Sequence, residues 1–500
     1  MKTMKNYKIL LFAVIASFVT SCNDAIDIRQ DGEQNDPDVV YTNLKDLERG
    51  LSGVYAAFPG EYEIEFTSIF TDEVGIGIAN GGQGLISGEY GFALNPGIAA
   101  PRIMWQSYYS LINYTNRILA VSENIEYNTE DPTDVDSFNS VIGQLHAIRA
   151  YAHFKLLSYF SPDLTNDASP GVILLDFVPN YDYDQHLPRL STGEIFDFIN
   201  DDLLIAEQNL PLNNIKTSVG RDFVTALRAR MAAFRGNYPE ARTYAELLTA
   251  NYPFVQRDSY LSMWRDADDS EVIFKLRRVA GNAQVAAAWY STRVNRGGSP
   301  FYEVGRSLFN LLSADDVRYE VIHLKDESDP SNNYQTAPNF RSDDILLIGK
   351  YPGTPGNSAT LRQNDIKIFR SVEMYFIRAE AFAEAGQING TSNSVAASLR
   401  QIRNFRFGVA QPLPNYNNVQ EAWADIVKER RIELAFEGHR YLDMKRLRAK
   451  AGGLAFERDP KDCVVNGQCT IPTDDRRYSF PIPTSELMAN PNMTQNPEYQ

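Results

Sequence analysis

The sequence predicts a mostly α-helical fold that carries long loop-rich insertions and a few short strands. Three segments show the apolar spacing of buried helices, and each contains an Arg-Ala pair, at Arg149, Arg228 and Arg378. The stretches 61–101, 258–302 and 326–368 are instead rich in Gly, Pro, Asn and aromatic residues. Because loops of this length in a compact protein are usually functional, we expect a ligand site to lie among them.

Two of the Arg-Ala helices end in a glycine at the same distance from the alanine, Gly236 and Gly386. Residues 237–248 then resemble the turn and second helix of a tetratricopeptide unit, in which each unit buries its face against the next. Residues 105–122 and 193–208 provide further amphipathic helices. The core is therefore predicted to be a tetratricopeptide-like helical scaffold.

Local signals also predict two helix starts and two extended segments. Thr192 precedes acidic residues, as helix N-termini favour, and Thr391-Ser392 precede a helix predicted from Ser394 to Arg403. Residues 271–276 are rich in β-branched and aromatic side chains, which predicts a short strand, and 478–483 form a second extended segment.

Residues 1–21 have the layout of an export signal. Three lysines precede an apolar run, from Ile9 to Val19, that is too short to span a bilayer. The run ends in small residues before Cys22, which resembles the lipobox at which bacterial lipoproteins are cleaved and acylated. Acyl chains on Cys22 would anchor the mature chain, at about 0.8 kcal/mol per buried methylene. An ordinary secretory signal followed by a chance cysteine is the alternative.

Composition excludes nucleic acid as a partner. The 500 residues contain 48 Lys and Arg against 64 Asp and Glu, a formal net charge of −16, and no basic run is long enough to bind a phosphate backbone. With 43% hydrophobic residues the chain can bury a large core. Since Pro, Gly and Ser are spread over many loops and form no clear linker, we predict one domain over residues 22–500.

Cys463 and Cys469 are the only cysteines besides Cys22. In an oxidising compartment they can pair. We predict a small disulfide-closed hairpin whose three-residue loop has Gly467 in the left-handed region, because that geometry places the two cysteines opposite each other. Two free thiols are the alternative, since so short a loop gains little stability from closure.

The segment 428–447 (KERRIELAFEGHRYLDMKRL) places charges inside an apolar helix face. Arg430, Glu433 and Glu437 fall in that face at i,i+3 and i,i+4 spacing, so a local ionic cluster can form where burial would otherwise be prohibitive. We interpret the three residues as a structural ion network, because guanidinium pairing lowers a carboxylate pKa. A catalytic carboxylate pair is the alternative.

Four separated segments resemble the SusD/RagB family, the surface lipoproteins that serve nutrient uptake in Bacteroidetes. They are the Cys22 lipobox, the predicted helices 105–119 and 147–160, and the segment 428–447; residues 370–381 are also typical of the family. The resemblance implies a single SusD-like domain with an N-terminal part of about 22–230 and a C-terminal part of about 231–500.

The resemblance also implies a function. Family members are lipid-anchored in the outer membrane and exposed at the cell surface, where they bind glycans, as oligo- or polysaccharides, and deliver them to a SusC-like TonB-dependent transporter. A RagB-like peptide-binding receptor is the alternative within binding proteins. A glycoside hydrolase and a purely structural surface protein are alternatives from other classes.

No catalytic motif stands out in the sequence. The five histidines lack metal-binding spacing, and no nucleophile elbow, P-loop or complete dinucleotide-binding glycine motif occurs. Two carboxylates suffice for glycoside hydrolysis, so the sequence leaves the hydrolase alternative open. We predict a binding protein with no enzymatic activity, no cofactor and no metal ion.

Aromatic residues in polar, glycine-rich loops are the candidate ligand contacts. A sugar's apolar ring face stacks on Tyr or Trp, and its hydroxyls bond to polar side chains at the rim. For each aromatic candidate the alternative is a ring folded onto the core. The candidates are Tyr90, Phe92, Trp289, Tyr290, Tyr302 and Tyr351, with Asp72, Asn95 and Arg296 as polar partners.

Overall fold

The structure is a computed structural model, and it describes residues 41–77, 79–80, 82, 84–86, 88–179, 185–212, 215–279, 281–289, 300–325, 328, 345–353 and 363–500. The predicted signal segment 1–21 lies outside the described residues, as do Cys22, Tyr290 and Arg296.

The predicted mostly α-helical fold is confirmed. The described helices are α1 (Leu44–Ala56), α2 (Glu61–Phe70), α3 (Ala99–Ser122), α4 (Pro132–Phe160), α5 (Thr192–Asn209), α6 (Arg221–Phe234), α7 (Tyr238–Asn251), α8 (Tyr260–Trp264), α9 (Arg306–Phe309), α10 (Val317–Ile322), α11 (Ser371–Glu384), α12 (Val395–Phe407), α13 (Val419–Glu433), α14 (Arg440–Leu447), α15 (Pro460–Cys463) and α16 (Thr484–Ala489). Buried hydrophobic side chains from Leu47 to Met493 form one connected core cluster.

The described strands are short and pair as three separate antiparallel ribbons. Strand β1 (Val74–Ile76) pairs with β3 (Tyr302–Val304), β2 (Val272–Leu276) with β4 (Ile366–Arg370), and β5 (Phe456–Glu457) with β6 (Thr470–Ile471). Strand β2 is the one predicted from the sequence. In the first ribbon Ile76 lies opposite Tyr302, so the two predicted loop regions meet there.

The repeated Arg-Ala helices form the predicted scaffold. Helix α7 packs against both α6 and α11. Gly236 and Gly386 follow their helices with φ of +75° and +71°, a backbone conformation that glycine adopts without strain. The alanines between each Arg-Ala pair and its glycine are buried, which allows close helix approach: Ala229, Ala232, Ala233, Ala379, Ala381 and Ala383.

Both predicted helices begin within one residue of the predicted position, but the capping residue differs in each. Ser191, one residue before the predicted Thr192, caps α5 in a capping box with Glu194. Ser394, and not Thr391-Ser392, caps α12 by accepting a hydrogen bond from the Ala397 N–H. In both helices the serine side chain accepts the N–H three residues on, which satisfies one of the unpaired N–H groups of the first helical turn.

The stretch 61–101 is not the long loop that its composition predicts. Its first ten residues form helix α2, because glycine is absent there and Ile64, Phe66 and Phe70 bury their side chains in the core. Strand β1 follows directly. The glycines of the stretch all follow helix α2, from Gly75 onward.

The predicted local ion pair between Arg430 and Glu433 is not formed. Helix α13 ends at Glu433, and the chain then turns through Phe436 (φ +62°) and Gly438 before α14 begins. Arg430 instead bonds Asp443 of α14, with Nε 2.8 Å from the carboxylate. The turn removes Glu437 from the helix, so i,i+3 and i,i+4 spacing does not describe these contacts.

Glu433 and Glu437 belong to a larger set of charges that we call the buried ionic network. Glu433 accepts hydrogen bonds from Arg406 at 2.9 Å and Arg370 at 3.2 Å. Arg370 bridges onward to Glu437 at 2.8 Å. Every member is at least nine-tenths buried, and the members come from separate parts of the chain: Glu271, Arg318, Lys350, Arg370, Arg406, Glu433 and Glu437.

Cys463 and Cys469 are joined by a disulfide with Cα atoms 5.0 Å apart. Gly467 has φ of +70°, as the loop prediction requires. The flanking hairpin is absent, however, because Cys463 is the last residue of helix α15 and the strand β6 begins only after Cys469. Asp459 caps α15 and Pro460 occupies its first turn, which favours helix over strand.

Candidate functional site

Two of the predicted aromatic contacts are buried side by side in the core. Trp289 and Tyr351 have no exposed surface, and their ring centroids lie 6.2 Å apart. Trp264 packs against Tyr351 at 5.5 Å, and Phe436 packs against Trp289 at 5.4 Å. A ring without exposed surface cannot stack on a sugar. The prediction of surface contacts at Trp289 and Tyr351 is therefore corrected: both rings fold onto the core.

Tyr90 and Phe92 are also buried, on either side of a guanidinium group. The Arg458 guanidinium carbon lies 4.0 Å from the Tyr90 ring centroid and 3.8 Å from that of Phe92. The Tyr90 hydroxyl donates to the Asp462 carbonyl at 2.6 Å. Both rings therefore hold the loop to the core and do not face a ligand, which corrects the prediction for this pair.

Asp72 is likewise a structural residue. It lies in a bidentate pair with Arg440, both nitrogens 2.8 Å from the carboxylate oxygens. Burial by itself would raise the pKa of Asp72, but the guanidinium groups of Arg431 and Arg440 hold it well below its usual value. With 1% exposure this carboxylate cannot reach a ligand, so the predicted polar contact is corrected.

Asn95 is exposed, and it lines an open depression together with Arg476 and Arg477. Its side-chain oxygen accepts a hydrogen bond from the Gly97 N–H at 3.0 Å. Arg477 is already paired with Asp475 at 2.6 Å. Asn95 is thus accessible, and the one aromatic candidate that lines the same depression is Phe92, whose ring is buried.

Tyr302 is the one described aromatic candidate that keeps a partly exposed ring. It begins strand β3, and its ring centroid lies 5.9 Å from that of Tyr90 behind it. The charges of Glu65 and Glu89, both partly exposed, act on Tyr302, and the partly exposed Tyr62 is hydrogen-bonded to Glu89. We call Tyr62, Glu65, Glu89 and Tyr302 the tyrosine–glutamate surface.

Helix α2 and the 3-10 turn Glu89–Gly91 bring the other three residues to this surface. Tyr62 and Glu65 are three residues apart on α2, so they share one helix face. The Tyr62 hydroxyl donates to Glu89 Oε1 at 3.2 Å. Two carboxylates and two phenol hydroxyls therefore lie together at the protein surface.

The electrostatics of this surface are acidic. Burial and the charges of Glu89 and Glu65 raise the pKa of Tyr302 to about 12. Burial and the charge of Glu89 also raise the pKa of Glu65 above its usual value. Both tyrosines therefore keep their hydroxyl protons near neutral pH and remain hydrogen-bond donors.

The disulfide loop and Arg458 hold this surface in place. Asn466, between the two cysteines, donates from its side-chain amide to the carbonyls of Leu85 at 2.6 Å and Tyr90 at 3.4 Å. Arg458 donates to the carbonyls of Ile69 and Tyr90, at 3.0 and 2.5 Å. The last turn of α2 and the Glu89 segment are thus tied to the same C-terminal residues.

Sequence reasoning missed Tyr62, Glu65 and Glu89. The signal that could have found the first two is the segment Glu61–Phe70, which lacks glycine and proline and places Tyr62 and Glu65 at helical i,i+3 spacing. Glu89 sits one residue before the predicted Tyr90. Its proximity to Tyr62 depends on a tertiary contact that no local pattern carries.

Metal ligation and membrane crossing find no support in the described ranges. No group of three or more His, Cys, Asp or Glu side chains that could hold a metal ion occurs among the residues that the structure describes. Within the same ranges, every helix is too short or too polar to span a bilayer.

Comparison with protein families gives two matches. Residues 270–499 match the family described as "SusD family", and residues 48–233 match the family described as "Starch-binding associating with outer membrane". Among related proteins, the SusD-like protein P38 of Formosa agariphila is 24% identical over 100% of both chains. The SusD-like protein P2 of the same organism is 22% identical over 99% of this chain and 100% of its own.

Solved structures with the same fold include a SusD superfamily protein from Bacteroides vulgatus, with a TM-score of 0.72 and 20% identity over 92% of this chain and 100% of that one. A putative sugar binding protein from the same organism has a TM-score of 0.71 and 23% identity at the same coverage. A "Laminarin binding SusD-like protein" has a TM-score of 0.66 and 20% identity, again at that coverage.

Proposed function

Because this chain belongs to the SusD/RagB family, we propose that it binds glycans at the cell surface and delivers them to a SusC-like TonB-dependent transporter. The observation that carries the proposal is the pair of family matches over 48–233 and 270–499, one of which is described as starch-binding and associated with the outer membrane. On this basis residues 22–500 act as a single SusD-like domain that is anchored through Cys22.

Names of related proteins support a glycan as the ligand. Two proteins of the same fold are described as sugar binding and laminarin binding. Laminarin is an uncharged, hydroxyl-rich glucan, and the tyrosine–glutamate surface has the chemistry that such a polymer needs. Partly exposed tyrosine rings can stack on the apolar face of a sugar, and carboxylates accept hydrogen bonds from its hydroxyls.

We place the ligand contacts at Tyr302, Tyr62, Glu65 and Glu89. Tyr302 is retained from the sequence prediction because its ring is partly exposed. Tyr290 and Arg296 remain predictions, because both lie outside the described residues. Asn95 is proposed as a contact only for a glycan long enough to extend beyond the four residues.

The first test is isothermal calorimetry on the chain without residues 1–22, with laminarin, starch, xylan, mannan and a set of short peptides. We expect saturable binding of at least one glycan and a loss of about tenfold or more in affinity for Tyr302→Ala. Tyr114→Ala is the matched control, since Tyr114 is 51% exposed on helix α3 and contributes to none of these contacts.

Each other outcome has a defined meaning. Peptide binding without glycan binding would replace the proposal with a RagB-like peptide receptor. Glycan binding that survives Tyr302→Ala would move the site elsewhere on the surface. Chromatography of the glycan after prolonged incubation checks the absence of catalysis: an unchanged chain length is expected, and shortened products would indicate a glycoside hydrolase.

Anchoring is tested by labelling cells with a radioactive or clickable fatty acid and separating their membranes. The wild-type chain is expected to incorporate label and to fractionate with the outer membrane, whereas Cys22→Ser is expected to lose both properties. Protease added to intact cells should cleave a surface-exposed chain. Protection from the protease would place the anchored protein on the inner face of the membrane.

Delivery to a transporter is tested by gentle detergent extraction and affinity purification of the tagged, lipidated chain. We expect a TonB-dependent transporter to co-purify in about equal amount. Deletion of that transporter should abolish growth on the bound glycan while leaving glycan binding by the purified chain unchanged. Full growth without it would contradict the delivery step.

A further inference from the structure

The two carboxylates of the tyrosine–glutamate surface lack cationic partners among the residues that the structure describes. Glu65 makes no hydrogen bond or ion pair there, and Glu89 accepts only the Tyr62 hydroxyl at 3.2 Å. By contrast, Glu61, four residues before Glu65 on the same helix, pairs with Arg278 at 2.6 Å. The acids at the surface are thus free to act on a ligand.

The described cations whose charges act on the two tyrosines are Arg458, at Tyr302, and Arg102, at Tyr62. Arg458 is buried behind Tyr90 and uses its nitrogens on backbone carbonyls. Arg102 donates to Gln106 on its own helix. At Tyr62 the charges of Glu89 and Glu65 act more strongly than that of Arg102, and at Tyr302 they act more strongly than that of Arg458.

The negative charges of Glu65 and Glu89 act on the hydroxyl groups of Tyr62 and Tyr302, which a bound ligand would contact. The charges of Glu89 and Glu65 both contribute to the raised pKa of Tyr302, so both carboxylates act on its hydroxyl. They act in the same direction on Tyr62. A sulfate or carboxylate group bound here would meet the same repulsion, and the net charge of −16 would add to it at longer range.

We propose that the tyrosine–glutamate surface selects uncharged glycans and rejects anionic ones. The inference rests on the proposed function and narrows its substrate class. Hydroxyl groups of an uncharged sugar donate to Glu65 and Glu89, and the Tyr302 hydroxyl donates to a sugar oxygen, while the Tyr62 hydroxyl keeps its bond to Glu89. An anionic sugar unit gains no compensating ion pair at these residues, so its binding is weakened by both carboxylates.

The test compares each glycan with its own carboxymethyl derivative, so that backbone and linkage stay constant. Laminarin, xylan, mannan and starch are each used in both forms at low salt. We expect the wild-type chain to bind the uncharged form of its preferred polymer at least tenfold more tightly than the carboxymethyl form. Raising the salt concentration to about 0.5 M should shrink this ratio, because exposed charges are then screened.

The variant Glu65→Gln/Glu89→Gln isolates the cause. It removes two negative charges and is expected to reduce the ratio to about threefold or less, mainly by improving binding of the carboxymethyl form. The control Glu123→Gln/Glu130→Gln removes the same net charge from exposed positions away from this surface and is expected to keep the wild-type ratio. Circular dichroism confirms that both variants fold.

The outcomes distinguish selectivity for uncharged glycans from glycan binding itself. Equal or tighter binding of the carboxymethyl form by the wild-type chain overturns the inference and leaves glycan binding in place. The same holds if the Glu65→Gln/Glu89→Gln variant keeps the full ratio while Tyr302→Ala abolishes binding. If no glycan in either form binds, the proposed function fails and the inference fails with it.

Discussion

The buried ionic network around Glu433 and the tyrosine–glutamate surface around Tyr302 both bring carboxylates close together, and they differ in what surrounds those carboxylates. In the network, Glu433 contacts Arg318, Arg370 and Arg406 within 3.3 Å. At the surface, Glu65 and Glu89 have tyrosines and each other as neighbours. The number of acids is similar, but the number of cations is not.

The pKa values follow this difference. Burial alone would raise the pKa of Glu433, yet Arg406, Arg370 and Arg318 hold it well below its usual value. The pKa of Glu65 is raised, because burial and Glu89 are not opposed by a cation. A carboxylate that is saturated with guanidinium groups serves the fold, whereas one that lacks them keeps its acceptor oxygens for a ligand.

Removing the charge of Glu433 should produce the largest effect on stability. Glu433→Gln leaves three buried guanidinium groups without the carboxylate that compensates them, and we expect a loss of about 3–5 kcal/mol in the free energy of unfolding. Urea denaturation followed by circular dichroism measures it. Because the folded-state pKa is lowered, the stabilisation by Glu433 is present above its unfolded-state pKa and is lost as the pH falls through the folded-state value.

Glu207→Gln is the matched control for this prediction. Glu207 pairs with Arg228 at 2.6 Å, but its side chain is 38% exposed. Solvent screens such a pair, so the expected loss is below about 1 kcal/mol. Equal losses for Glu207→Gln and Glu433→Gln would mean that burial of the network does not set its importance.

Glu73 is an intermediate case, because it is buried without a cation of its own. It accepts a hydrogen bond from the Phe436 N–H at 3.3 Å, and burial together with the charge of Asp72 raises its pKa from 4.5 to about 7. A raised folded-state pKa means that stability is lost as the pH rises from the unfolded-state value through about 7. The variant Glu73→Gln has no carboxyl group at this position, so it lacks this pH dependence of stability.

We therefore expect the free energy of unfolding of Glu73→Gln, relative to wild type, to improve between pH 4.5 and pH 8 by up to about 3 kcal/mol. Comparing the two pH values cancels any constant cost of the new amide. A difference that stays flat with pH would show that Glu73 is paired in the folded protein. A matched Glu123→Gln variant at an exposed position should show no such dependence.

The sequence predicted the scaffold better than the site, and the reason is physical. The helices that contain Arg149, Arg228 and Arg378 each show an apolar periodicity within their own segment. That pattern can be recognised without knowing which elements pack against the helix. The burial of Trp289 and Tyr351 depends instead on Trp264 and Phe436, which are brought in from remote parts of the chain. A glycine-rich loop gives an aromatic ring the same sequence context whether the ring is exposed or buried.

The ionic network shows the same limit. A charged face on α13 indicated that Glu433 is buried and paired, but its partners stand far away in sequence, at Arg318, Arg370 and Arg406. The i,i+3 spacing predicted Arg430 as the partner of Glu433, because that spacing identifies only pairs within one helix. The chain turn at Phe436 then redirected Glu437 to Lys350 at 2.6 Å.

The disulfide loop lies between a buried ion pair, Asp462 with Arg306, and the segment that carries Glu89, so removing the disulfide tests both kinds of region. Asp462, beside Cys463, accepts a hydrogen bond from the buried Arg306 backbone N–H at 2.7 Å, while Asn466 holds the backbone near Glu89. For Cys463→Ser/Cys469→Ser we expect a loss of about 2 kcal/mol in the free energy of unfolding, because the unfolded chain regains the freedom of a short loop. Thermal unfolding with and without reductant measures it, and a reductant effect that persists in the double variant would exclude this disulfide as its cause.

Substitution of Asn466 is expected to change the free energy of unfolding least of all, while it lowers the affinity for glycan. Asn466→Ala removes the amide that donates to the carbonyls of Leu85 and Tyr90, on either side of Glu89. We expect glycan affinity to fall about three- to tenfold by calorimetry, while the free energy of unfolding changes by less than about 1 kcal/mol, near the net worth of one hydrogen bond.

Asn492→Ala is the matched control, since that exposed amide donates to the His186 carbonyl at 2.7 Å, away from the tyrosine–glutamate surface. It should lose a similar small stability and no affinity. If Asn466→Ala also kept full affinity, the Glu89 segment would be held in position without the disulfide loop. If affinity fell only in proportion to stability in both variants, the surface would depend on the whole fold and not on this contact, and the contrast between a structural network and a separately positioned ligand surface would no longer hold.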